Sequence, residues 1–294
     1  MKKLVFEGSA VAIVTPFTDK GINFDKLSKL IDFQITNGTD AIVICGTTGE
    51  ASTMPDHEHL SAVDFTVKES GGRIPVIAGV GSNDTAHGIE LVKAAEALGV
   101  DALLNVTPYY NKASQEGLYR HFKVMAEAAS IPTILYNVPS RTTMNIAPET
   151  MQRLSKIPNI VGVKECNLTQ VPDCAFLCEK DFTFYTGEDG LVIPFLSLGG
   201  KGVISVVANI LPREVSQIVH LYLDGKHQEA LQLQLSLLPL IHALFSDVNP
   251  IPVKEAMNIL GWEVGPCRMP LCEMSEKGRA ALEKTMQQYS FYGL

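Results

Sequence analysis

The chain has 294 residues, enough for one α/β barrel with a modest appendage, and its 46% hydrophobic and 19% charged content excludes a disordered chain. Its 24 basic and 32 acidic residues leave a net charge of −8 with no basic stripe, which argues against a nucleic-acid or anionic-membrane partner. No run approaches the ~20 apolar residues a bilayer span requires; the nearest, Gly202 to Leu211, is short and carries Ser205 and Asn209.

At the N-terminus, Lys2 and Lys3 precede an apolar stretch that Glu7 and Gly8 interrupt. No small-residue cleavage site follows, so a cytoplasmic protein is expected. The cysteines are Cys45, Cys166, Cys174, Cys178, Cys267 and Cys272. A chain of this length needs no disulfide staples, and these spacings do not make a metal site, so free thiols are expected and no metal.

Strand-like apolar runs fall at Ala10–Val14, Ala41–Cys45, Pro75–Gly79, Ala102–Val106, Thr133–Tyr136, Ile160–Lys164, Thr183–Thr186 and Gly202–Ser205. They are continuous rather than alternating, which means burial on both faces, as in a parallel sheet. Between them lie amphipathic segments. Leu27, Leu30, Ile31 and Ile35 keep a helical period up to Gly38. Asn83, Asp84 and Thr85 offer N-caps ahead of Ile89, Val92, Ala95 and Leu98, and Pro148 fits a first helical turn. Eight strands, each followed by helix-compatible sequence, predict an α/β fold, a (β/α)8 TIM barrel over residues 1–224. A doubly wound open sheet is the alternative. From residue 225 to 294 the strand runs stop, and Leu231 to Phe245, Pro252 to Gly261 and Ser275 to Gln288 read as a small helical extension.

The chemically distinctive residues follow strands: Gly46-Thr47-Thr48-Gly49-Glu50, Thr107-Pro108-Tyr109-Tyr110-Asn111, Tyr136 with Asn137-Val138-Pro139-Ser140-Arg141, and Lys164-Glu165. In barrels that end of the strands carries the active site. Lys164, carried to the edge of an apolar interior by Ile160–Val163, is placed for a depressed pKa and Schiff-base chemistry with a keto substrate. It equally suits a snorkelling lysine or an ion pair with Glu165, and position alone does not separate these readings. Tyr136, Thr47 and Tyr110 supply hydroxyls for a proton relay, or else simply pack with satisfied hydroxyls. The Thr47–Thr48 turn offers backbone amides to a carboxylate, and Arg141 offers a bidentate grip on a second one, though a surface ion pair is also open to it. Gly79-Val80-Gly81-Ser82-Asn83 lacks a phosphate-binding fingerprint. His57 and His59 lie on different helix faces, which disfavours metal.

These segments, in this order and spacing, resemble the 4-hydroxy-tetrahydrodipicolinate synthase (dihydrodipicolinate synthase) family of pyruvate-dependent aldolases, from residue 4 through the C-terminal helices. The resemblance implies a lyase of lysine and diaminopimelate biosynthesis, condensing pyruvate with L-aspartate 4-semialdehyde without cofactor. It implies that Lys164 forms the imine and that Tyr136, Thr47 and Tyr110 form the relay, with Tyr110 supplied by the neighbouring subunit of a tight dimer. Thr48 and the turn at Thr47 would receive pyruvate, Arg141 the semialdehyde carboxylate, and Gly187 and Ile204 would line the pocket. A homotetramer of tight dimers is implied as well. His59, Asn83 and Tyr109 match the family's allosteric lysine site. Asp56 and His87 stand where lysine-inhibited members carry histidine and glutamate, so weak or absent feedback is expected. Thr143 replaces a usual glycine beside Arg141, so a slightly different loop is expected there.

Three other readings share part of this pattern. N-acetylneuraminate and keto-deoxy-sugar lyases have the lysine and tyrosine but no evident need for Arg141. A non-catalytic keto-acid-binding barrel would not need the whole hydroxyl set, and a metal-dependent aldolase would need ligands that are not apparent.

Overall fold

In a computed structural model, which describes residues 1–292, the eight apolar runs form parallel strands that close into one barrel. They are β1 (Gly8–Ala12), β2 (Ala41–Ile44), β3 (Val76–Gly79), β4 (Ala102–Val106), β5 (Thr133–Asn137), β6 (Ile160–Glu165), β7 (Thr183–Thr186) and β8 (Gly202–Ser205). Each pairs with its neighbours in sequence, and β1 closes the ring against both β2 and β8. The fold is the (β/α)8 barrel expected from the sequence.

Continuous apolar strands are explained by what lies on each side. Val11, Ile42, Ile44, Leu103 and Val203 pack outward under helices, while Ala10, Val43, Ile77, Leu104, Ile134 and Ile204 fill the interior. The N-terminal segment seals the lower end. Phe6 stacks on Tyr185 with ring centroids 4.2 Å apart, and the Tyr185 hydroxyl donates to the Phe6 carbonyl at 2.8 Å.

The outer layer comprises α1 (Phe24–Thr36), α2 (Asp56–Ser70), α3 (Thr85–Ala97), α4 (Gln115–Glu127), α5 (Pro148–Ser155), α6 (Val171–Leu177), α7 (Val192–Ser197) and α8 (Pro212–Leu223). Of the three N-cap candidates before α3, Asp84 takes the role, accepting from the Ala86 amide. A cap of this kind contributes about 1 kcal/mol.

Some strand ends differ from those expected, for local reasons. β1 begins at Gly8, two residues early, because the Asp40 carboxylate accepts the Ser9 amide at 2.7 Å and pulls the chain into register. Gly8 has φ +124°, and a Cβ there would overlap Asp40. β2 ends at Ile44 because Cys45 turns to φ +55°. β3 starts at Val76 rather than at Pro75, which has no N–H to donate to a ladder.

Beyond α8, α9 (His227–Leu244), α10 (Ile251–Ile259) and α11 (Glu276–Met286) follow. Their Leu237, Leu240, Leu244, Val253, Met257 and Leu282 share one buried cluster with Leu27, Ile31 and Val219. The α9–α10 connection crosses the barrel mouth, bringing Phe245 and Asn249 to the cavity there.

Candidate active site

A cavity of about 190 Å³ opens at the C-terminal end of the strands. Thr47, Thr48, Tyr136, Arg141, Lys164 and Asn249 are among the residues that line it. Lys164 reaches it because β6 alternates: Lys164 pairs between Tyr136 on β5 and Tyr185 on β7, on the interior face. Glu165 points the other way. It accepts from Asn137 Nδ2 at 2.9 Å, Gln170 Nε2 at 2.8 Å and the Asn167 amide at 2.8 Å, and burial pushes its carboxyl up to about 7. The adjacent carboxylate is therefore no partner for Lys164, and the ion-pair alternative falls away.

Lys164 is 7% exposed, and its Nζ lies 4.4 Å from the centroid of the Tyr136 ring. Burial lowers its pKa, Arg141 adds to the fall, and Cys166, Asp189 and Glu188 oppose it. The result is an amine with a larger neutral fraction than a solvated lysine. Burial also pushes the Tyr136 phenol upward, with Arg141 and the Thr47 hydroxyl offsetting part of the rise. Tyr136 is therefore held as a neutral phenol, a hydrogen-bond donor and acceptor beside the amine.

Gly187, after β7, is needed for packing. A Cβ there would overlap Cys166 Sγ and stand 2.8 Å from Lys164 Cε. Ile204 is fully buried in the interior layer on β8, and Val206, two residues on, reaches the cavity. Asp189 supports that wall. Its carboxylate accepts from the Ser205 hydroxyl and, at 2.9 Å, from the Val206 amide, and burial raises it to about 6.

Thr48 is buried and Thr47 exposed, so one hydroxyl of the turn is held and the other faces the opening. Arg141, in the short helix Pro139–Thr142, is exposed at the mouth, and its Nη2 donates to the Asn249 carbonyl at 3.2 Å. Thr143, after it, adopts φ +56°, the left-handed region that glycine enters without strain.

Tyr110 does not join its own site. It is 94% exposed at φ +71° and lines neither this cavity nor its neighbour. The neighbour, about 440 Å³, shares Thr47, Tyr136 and Arg141 and extends to Asp56, His59, His87 and Tyr109. Asn83 borders this region, donating from Nδ2 to the Tyr109 carbonyl at 3.1 Å. His59 is buried, which lowers its pKa, and its Nε2 has no partner among the described residues. Asp56 Oδ1 and His87 Nε2 stand 3.0 Å apart. Among the described residues no group of three or more His, Cys, Asp or Glu gathers as metal ligands would.

Sequence reasoning missed Glu188, Asp189 and Asn249. The first two follow a strand end and were within reach of the same barrel rule. Asn249 lies between helices, far along the chain, and nothing local marks it.

Residues 5–289 match the model of the dihydrodipicolinate synthetase family. A 4-hydroxy-tetrahydrodipicolinate synthase from Acetivibrio thermocellus is 56% identical over 98% of this chain and 99% of its own. The crystal structure of dihydrodipicolinate synthase from Aquifex aeolicus superposes with a TM-score of 0.95 at 42% identity, covering 97% of this chain and 98% of that one. The synthase from Cyanidioschyzon merolae, solved with lysine bound, gives 0.94 at 38%, covering 97% and 98%.

Proposed function

This chain belongs to the dihydrodipicolinate synthetase family, and we propose that it performs the family's reaction through an imine on Lys164. It is a lyase of lysine and diaminopimelate biosynthesis, condensing pyruvate with L-aspartate 4-semialdehyde to 4-hydroxy-tetrahydrodipicolinate. The observation that carries the residue assignment is the buried, pKa-depressed Lys164 amine set over Tyr136 inside a cavity walled by Thr47, Thr48 and Arg141.

The neutral amine attacks the pyruvate ketone, and Tyr136 passes a proton to the departing water as the imine forms. Loss of a methyl proton yields the enamine, whose carbon adds to the aldehyde. The substrate's own amine then attacks the imine carbon, closes the ring and releases Lys164. One water leaves in the overall balance. The Thr47–Thr48 turn receives the pyruvate carboxylate and Arg141 that of the semialdehyde, so both partners are held in one site.

The relay is completed between subunits. Tyr110 stands 94% exposed beside the 40% exposed Tyr109, an aromatic pair suited to burial against a second copy of the chain. A tight dimer would bring Tyr110 to the partner's Tyr136, and two such dimers make the tetramer. Cytoplasmic residence accords with six free cysteines. No described helix is long and apolar enough to cross a membrane.

Lysine feedback is weak in this reading. The larger cavity holds a carboxylate, but on Asp56 rather than at position 87, and His87 already engages it. Potent inhibition by lysine in an initial-rate assay would refute this.

Borohydride reduction with pyruvate, followed by peptide mapping, tests the imine. The expected result is a stable adduct on Lys164; an adduct elsewhere, or none, overturns the assignment. Turnover with aspartate semialdehyde tests the overall reaction.

A further inference from the structure

Asn249 stands where the α9–α10 connection crosses the barrel mouth, is 7% exposed, and lines the cavity that holds Lys164. It makes two contacts, one to each anion site. Its Nδ2 donates to Thr48 Oγ1 at 3.0 Å, and its backbone carbonyl accepts from Arg141 Nη2 at 3.2 Å. Its Oδ1 is buried with no partner among the described residues.

A buried acceptor without a donor is costly, so the placement of this amide calls for a reason. The opposite orientation would turn Oδ1 to Thr48 and strand two N–H donors in place of one acceptor, which is worse. With Nδ2 as donor, a lone pair of the Thr48 hydroxyl is occupied. Its single proton is then free to point into the cavity.

We infer that Asn249 is a positioning residue: its side chain holds the Thr48 hydroxyl as a hydrogen-bond donor to the pyruvate carboxylate, while its backbone carbonyl fixes Arg141. The inference rests on the reaction assigned above and adds a residue from the C-terminal helical region to it. It separates the two substrates, because substitution of the side chain alters the Thr48 contact and leaves the backbone contact to Arg141 in place.

Asn249→Asp is nearly isosteric and tests this directly. The new carboxylate accepts the Thr48 hydroxyl's hydrogen bond, so that hydroxyl no longer points into the cavity, and sets a negative charge near the pyruvate carboxylate. The expected result is a KM for pyruvate raised at least tenfold, with the KM for the semialdehyde within about twofold and the melting temperature little changed. The ratio of variant to parent KM should shrink as the pH is lowered, because the introduced carboxyl, once protonated, can again donate to Thr48. Arg141, Lys164 and Glu188 face the same cavity in both proteins, so the ratio isolates position 249. Asn249→Ala should raise the pyruvate KM less than Asn249→Asp does.

Pyruvate KM values within twofold of the parent in both variants overturn the inference. So does an equal, pH-independent rise for both substrates. The parent is assayed alongside by borohydride trapping: no adduct on its Lys164 overturns the underlying reaction and this inference with it. A normal adduct with unmoved variant KM values overturns the inference alone.

Discussion

Replacing Lys254 by methionine removes one member of a fully buried ion pair that joins α10 to the Gly46–Glu50 turn at the barrel mouth. All three Nζ protons are used: by Glu50 Oε1 at 2.8 Å, the Pro266 carbonyl at 2.7 Å and the Thr15 carbonyl at 3.1 Å. The two side chains are 2% and 1% exposed. Methionine keeps the length of the stem but leaves Glu50 with only the Arg268 amide, at 2.8 Å, among these contacts. Breaking a buried pair from one side costs about 3–5 kcal/mol, since the remaining charge is uncompensated. At roughly 2–4 °C per kcal/mol for a chain of this size class, the melting temperature should fall by about 10 °C. Changing both partners, as in Lys254→Met with Glu50→Gln, removes the stranded charge and should recover part of the loss. Glu50 sits at φ +56° directly after Gly46–Gly49, so the single variant should also raise the pyruvate KM. The assay is thermal unfolding at fixed protomer concentration with steady-state kinetics beside it. A loss below about 1 kcal/mol, or a double variant no more stable than the single one, would refute the account.

Tyr136→Phe keeps the ring under Lys164 but deletes the proton carrier, so kcat should drop by about 10²–10⁴-fold with the fold intact; full activity would exclude the relay. Because burial lowers the Lys164 pKa, kcat/KM for pyruvate should fall as the pH drops through that value and the amine protonates; a rate flat across the acid range would count against an attacking amine. Gly187→Ala should abolish most activity by pressing on Cys166 and Lys164, and adding Cys166→Ala should restore some of it; a fully active single variant contradicts the packing. His121, packed between α3 and α4 with Thr85, is pulled down to about 4 by burial. Its folded pKa lies below the unfolded value near 6.5, so the unfolded chain binds more protons between them. The stability involved is present above pH 6.5 and is lost as the pH falls toward 4, at most about 3 kcal/mol. His121→Gln should flatten that limb of the stability profile, and identical limbs in melts from about pH 7 to 4.5 would dismiss the effect.

The barrel was legible because its strands are buried on both faces, which writes continuous apolar runs into the sequence, and because turn residues punctuate them. Lys164, Thr47 and Tyr136 were legible for a related reason: polar residues directly after such runs fall on one rim. Tyr110, expected at a neighbouring subunit's site, stands exposed outside this chain's own cavities; a strand end fixes the rim and not the direction of a side chain. Whether Lys164 pairs with Glu165 was decided only by the pleat, which sends the two neighbours to opposite faces. Asn249 and Lys254 left no local signal. Their partners Thr48 and Glu50 lie 201 and 204 residues away, a separation that no periodicity or motif spans.

By itself, then, the order of apolar runs and strand-end clusters determined a parallel barrel and the rim on which Thr47, Tyr136 and Lys164 gather. Those features depend on hydrophobic period and strand polarity, which are properties of local sequence. Tertiary structure alone decided how dry the Lys164 amine is, which carboxylate it is kept from, and that a segment beyond the barrel braces the Thr47–Thr48 turn. Those depend on desolvation and on hydrogen bonds between distant residues, and they exist only once the chain has closed on itself.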